Sequence, residues 1–163
     1  MALHDSLAPA KTGTITKNEL MVERIWIGGA LFTVGGAGYE PKGPFTLEGE
    51  TVDAANHPEL LFAGKLVTLC ANAQTVYLPE EKRWRVSGDP TEAALLVAGQ
   101  KMGFVKGDLE RECPELAEMP FDYRLKYRAT LHVEGAKNIV TVIGAPEAVL
   151  SLAHEVHEGG KSV

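Results

Sequence analysis

Apolar and β-branched residues crowd two short runs near the start of the chain, LMVERIWI and ALFTV, and predict strands over Leu20–Ile27 and Ala30–Val34. The stretch from Gly35 to Gly49 is rich in glycine and proline and reads as a long loop. Beyond it the period lengthens. Leu60, Ala63, Val67 and Cys70 share one stripe with Leu66, Leu69 and Ala73 beside it, which predicts a buried helix opened by an Asn56-x-x-Glu59 capping signal. Thr75–Leu78 and Arg83–Val86 form a hairpin pattern across a polar Pro-Glu-Glu-Lys turn, and a second helix spans Pro90–Lys101 until Gly103 stops it. In Tyr127–Val133 the apolar Tyr127, Ala129, Leu131 and Val133 alternate with Arg128, Thr130 and His132, so this strand is expected to have one wet face. Asn138–Ile143 is its expected partner across the Glu134–Lys137 turn, and a helix from Pro146 to about Ala153 precedes a polar tail.

Hairpins outnumber any strand-helix-strand alternation in this order. The expected class is α+β, a twisted, mainly antiparallel sheet flanked by helices. With 163 residues there is room for one substantial core rather than two. The expected organisation is a leader over 1–18, a domain over 19–154 and a polar tail over 155–163.

Composition narrows the functions. Apolar residues at 45% and charged residues at 23% are ordinary for a globular domain. The longest apolar run, around Ala93 to Ala98, is far shorter than the roughly eighteen residues that suggest a membrane span. A net charge of −6 argues against a nucleic-acid partner, which usually needs a basic face to displace counterions. Local positive charge does gather in FDYRLKYR at 121–128. Two cysteines, Cys70 and Cys113, suit a reducing setting without a disulfide framework. His4, His57, His132, His154 and His157 lack metal-ligand spacing, so no protein-bound metal is expected.

Two phosphate-binding signatures are nearly present. Gly160-Lys161-Ser162 matches the end of a G-x-x-x-x-G-K-[ST] loop, but Glu155 stands at the first glycine and would oppose a triphosphate. No G-x-G-x-x-G occurs. Lys11–Thr16 has the form of a loop that carries an aspartyl phosphate, with Ala10 where the carboxylate belongs. As written, the chain cannot form that phosphoenzyme.

Four stretches in one order carry a resemblance: KTGTITKNEL at 11–20, VGGAGYEPKG at 34–43, SGDPTEAAL at 87–95, and MPFDYRLKYR through IGAPEAVL between 119 and 150. Together they resemble the nucleotide-binding domain of a P-type cation-transporting ATPase, most similar to the type II calcium and sodium pumps. In that family the domain is inserted into a phosphorylation domain just after the acceptor motif. The resemblance implies that KTGTIT is only the leading edge of the insertion. It also implies a cytoplasmic domain of an integral membrane protein, with phosphorylation, actuator and transmembrane domains as partners. ATP would be the ligand, and Mg2+ would arrive with it, held mostly outside this chain. The chain itself is expected to be monomeric.

Residue by residue, the resemblance places Phe121 as the ring that stacks on adenine and Lys126 as the cation near the nucleotide. A core role for Phe121 and a solvated strand-edge role for Lys126 stay open. Glu92 would accept from the adenine amine, with Thr91 beside it. Alternatively, Asp89-Pro90-Thr91-Glu92 is an N-cap, a first-turn proline and a capping-box glutamate. Gly144 and Ala145 match the family's K-G-A-P-E, where small residues let a ligand approach, while Ile143 replaces its lysine. Losing a charge-assisted hydrogen bond there costs on the order of 1.5–3 kcal/mol, so weaker binding is expected. Arg124 and Arg128 fall outside the match and are read as background positive potential. A degenerate relative acting as a regulatory or protein-interaction module is the alternative function.

Overall fold

A computed structural model of the chain describes residues 19–155, 157–158 and 161–162. Ala10 and the KTGTIT segment lie outside these residues. The first layer is an antiparallel meander of β1 (Arg24–Ile27), β2 (Ala30–Val34), β3 (Phe45–Leu47) and β4 (Glu50–Val52). Its last two strands correct the long-loop reading. Val34 pairs with Phe45, Phe45 is buried, and Glu48-Gly49 turns the chain with both residues at positive φ, as a two-residue hairpin requires. Strands of three residues are too short to leave a period in the sequence.

A single 3-10 turn, Ala54–Asn56, follows, with the Asp53 side chain accepting from the Ala55 amide at 3.0 Å. Helix α1 (Pro58–Cys70) then starts at its proline, and His57 at the N-cap makes no side-chain capping bond. Asn56 is therefore not the cap. Pro58 explains this: it biases His57 toward extended backbone, and its own missing amide leaves one fewer donor to satisfy. Nor does the helix reach Ala73, which opens strand β5 (Ala73–Leu78) against β6 (Arg83–Gly88).

Helix α2 (Pro90–Lys101) forms where expected, with the Asp89 carboxylate accepting from the amides of Thr91 and Glu92. Two further elements had no clear signal: α3 (Lys106–Glu112), with Leu109 as its single buried residue, and β7 (Glu115–Asp122), which is mostly exposed. Strand β7 pairs with β8 (Tyr127–Glu134), which pairs with β9 (Lys137–Gly144), and α4 (Pro146–Leu152) follows. A small ladder of β10 (His157–Glu158) and β11 (Lys161–Ser162) lies in the segment read as a polar tail. All described pairings are antiparallel, so the fold is α+β, with the strands divided among separate ladders rather than one sheet.

The main core lies between β1–β4 and the α1–α2 pair, where Ile25, Phe32, Val34 and Phe45 meet Leu60, Leu95, Ala98 and Met102. Strand β8 corrects a sequence expectation. The alternation is real, but Arg128, Thr130 and His132 are the buried set, whereas Tyr127, Ala129, Leu131 and Val133 are half-buried. Strand β8 thus has no wet face. Ionic partners compensate part of the inward side: Arg128 pairs with Glu92 and Glu118, and His132 lies 3.8 Å from Glu115, while Arg128 Nε and His132 Nδ1 have no hydrogen-bond partner.

Candidate functional site

The turn between β7 and β8 is built by Asp122. Its Oδ1 accepts from the amides of Arg124 at 2.7 Å and Leu125 at 3.1 Å, and its carbonyl accepts from the Lys126 amide at 2.6 Å. The amides of Leu125 and Arg124 hold the Asp122 carboxyl below its ordinary range. Lys126 closes the turn with φ of 60°, a conformation that carries strain for a side chain with a Cβ. The turn displays rings and a cation together. Phe121 is 46% exposed, so it is not a core residue, and its ring meets the 88%-exposed Tyr123 edge-on with centroids 5.3 Å apart.

The β9–α4 junction is stitched onto this turn. Gly144 pairs with Tyr127, and the Ala145 amide donates to the Lys126 carbonyl at 2.9 Å. A Cβ at Gly144 would overlap that carbonyl and Tyr127, so the backbone itself requires glycine here. Ile143 lies opposite Arg128 and packs, half-buried, against the main core. The Lys126 ammonium meets Glu147, a residue assigned no chemistry from the sequence, at 3.0 Å. The first-turn amide and then Lys126 hold the Glu147 carboxyl low.

Glu92 does not fold back on Asp89 as a capping box would require. Its Oε2 accepts from the Asn72 amide at 2.6 Å and lies 2.5 Å from Arg128 Nη1. Arg128 Nη2 donates to Glu118 at 3.1 Å. Burial works against the Arg128 charge, but Glu92 and Glu118 outweigh it and hold the guanidinium above its ordinary value. Arg128 is therefore a buried cation engaged through both terminal nitrogens, with Nε unpartnered, rather than background potential. Thr91, half-buried, sits beside Glu92 in the first turn of α2.

The structure thus joins Phe121, Lys126, Gly144 and Ala145 at one end of the β7–β9 sheet and connects Glu92 to that sheet through Arg128. Sequence reasoning missed Tyr123, Arg128 and Glu147. The parity of the β8 alternation placed Arg128 with Thr130 and His132, but nothing local said that this parity faced inward. The assembly is an open surface, suited to stacking a planar ring with a cation nearby. A cavity of about 400 Å³ lies elsewhere, between Gly38–Glu40 and the β5–β6 tip at Tyr77 and Trp84, and none of the predicted site residues line it.

Over residues 61–163 the chain matches the family model described as P-type ATPase, cytoplasmic domain N. It is similar to a calcium-transporting ATPase of Bacillus subtilis (strain 168), 35% identical over 156 residues that cover 93% of this chain and 17% of that protein. The cation-transporting ATPase pma1 of Synechocystis is 38% identical over 145 residues, 86% of this chain and 16% of that protein. A probable cation-transporting ATPase F of Mycobacterium tuberculosis is 36% identical over 145 residues, with 87% and 16% covered. The chain spans about one sixth of the length of these relatives.

Proposed function

This chain belongs to the P-type ATPase family as its cytoplasmic domain N, and from that premise we propose that it binds the adenosine end of Mg-ATP on the β7–β8 turn. The observation that carries this reading is the joint exposure of Phe121 and Lys126 at the two ends of one braced turn. An exposed ring gives a purine a stacking face, worth roughly 1–3 kcal/mol per base. A lysine on a flexible stem follows a phosphate chain without fixed bidentate geometry. Glu92 and Thr91 approach the base edge, and Ile143, Gly144 and Ala145 border the nucleotide.

In the whole protein the domain would carry the γ-phosphate toward an acceptor aspartate, at the position Ala10 occupies here, on the cytoplasmic side of a membrane. Phosphoryl transfer depends chiefly on positioning and charge stabilisation, and positioning is this domain's share. Mg2+ enters with the nucleotide, and the phosphorylation, actuator and transmembrane domains supply the rest. The chain alone binds ATP without turnover.

Titration calorimetry tests the reading. Phe121→Ala is expected to weaken ATP binding about 5- to 150-fold, the range that corresponds to the loss of one stacked base. Ile143→Lys is expected to tighten it about tenfold, less whatever its half-buried stem costs the core. The second reading, a degenerate interaction module, draws on Ile143 in place of lysine and on Glu147 already holding Lys126. It predicts no binding at millimolar ATP and no response to Ile143→Lys.

A further inference from the structure

We propose that Arg128 is a positioning residue that turns Glu92 into a reader of 6-amino purines. The inference rests on the nucleotide reading of the site above, including the contact of Glu92 with the adenine amine, and adds to it the residue that positions that carboxylate.

The Asn72 amide and Arg128 Nη1 both engage Glu92 Oε2, at 2.6 and 2.5 Å, and neither uses Oε1. The Glu92 side chain is still 20% accessible. A carboxylate fixed through one oxygen presents the other as a directed acceptor. An ionised carboxylate has acceptor capacity only, so it matches an exocyclic amine and opposes a carbonyl at the same ring position. Preference for adenine over a 6-oxo purine follows from that mismatch.

Arg128 also relates this acceptor to the stacking ring. Its second nitrogen holds Glu118, three residues before Phe121 on β7, a separation of roughly 10 Å along a strand. Lys126 lies two residues before Arg128, at the closing end of the same turn. One buried guanidinium therefore links the start of α2 to the strand that carries the ring. Its planar fork engages two carboxylates at once, which an ammonium cannot reproduce with the same geometry.

Calorimetric titration of the full chain with adenosine and inosine triphosphates separates this role from a plain structural staple. The unmodified chain is expected to prefer ATP over ITP by about tenfold, the worth of one hydrogen bond to a charged group. Arg128→Met should bring that ratio near one, while ITP affinity shifts by less than about threefold. In a Glu92→Ala background, Arg128→Met should leave the ratio unchanged. Should Arg128→Met fail to fold, Arg128→Lys decides: it keeps the charge, loses the fork, and should cut the ratio at least about threefold. Absence of ATP binding by the unmodified chain overturns the nucleotide reading itself. Binding of ATP with no preference over ITP overturns Glu92 as the reader, and a preference that survives in the folded Arg128 variant overturns Arg128 as its positioner.

Discussion

The β1–β4 layer and the β7–β9 sheet solve burial in opposite ways. Against α1 and α2, the first contributes Ile25, Phe32, Val34 and Phe45, all apolar, and non-directional burial of surface holds them. The second turns Arg128, Thr130, His132 and Thr141 inward, where buried polar atoms depend on partners that Arg128 Nη1 and Nη2 find and that Arg128 Nε, His132 Nδ1 and Thr141 Oγ1 do not. Apolar packing accepts any neighbour of the right shape, while an ion pair fixes which group meets which. The candidate site sits on the second region, and Arg128 connects α2 with β7 and β8 there. On the proposed reading, stability and positioning are thereby divided between two parts of the molecule.

The division can be broken from either side. Leu60 is fully buried in the apolar layer, and Leu60→Ala should cost about 2–5 kcal/mol in urea unfolding, with the ATP affinity of the folded protein unchanged. Loss of ATP binding alongside stability would show that the two regions are not separable.

A smaller effect belongs to the polar sheet. Burial, opposed by Glu115 and Glu110 and reinforced by Lys106, holds the His132 imidazole below its ordinary 6.5. The unfolded chain then binds a proton that the folded chain refuses. Stability should therefore be flat above about pH 6.5 and fall as pH drops from there toward the lowered folded value, by at most about 1.4 kcal/mol per unit. Denaturation series at pH 7.5 and 5.5 should show this loss diminished in His132→Gln and retained in Leu60→Ala.

The smallest expected change lies at the rim. The Lys126–Glu147 pair is solvent-exposed on both sides, and such pairs contribute little. Phosphate must still compete with Glu147 for the ammonium. Glu147→Gln should tighten ATP about twofold at low salt, leave adenosine binding unchanged, and lose its effect as salt rises. An equal gain for adenosine would mean that Glu147 acts on the base end.

Much of this arrangement could be read along the chain. Asp89-Pro90 announced α2 because a cap and a first-turn proline act within a few residues. The Glu134–Lys137 turn announced β8 and β9 for the same reason. Phe121 and Lys126 could be singled out by their place in a motif, and their exposure on one turn fits that reading. By contrast, β3 and β4 left no legible period, and the Asn56 signal yielded to Pro58 two residues on. Glu92 looked like half of a capping box, yet Arg128 and the Asn72 amide, both remote in sequence, drew its carboxylate elsewhere.

The sequence by itself determined the Asp89 cap and proline start of α2, the Glu134–Lys137 turn and the two-residue rhythm of β8. Each depends on forces that act over a few residues, such as amide satisfaction, fixed proline geometry and side-chain alternation. Only the tertiary structure decided that the charged side of β8 faces inward and that Arg128 holds Glu92. The free energy of a buried charge is set by the partner that reaches it, and that partner comes from another element of the fold.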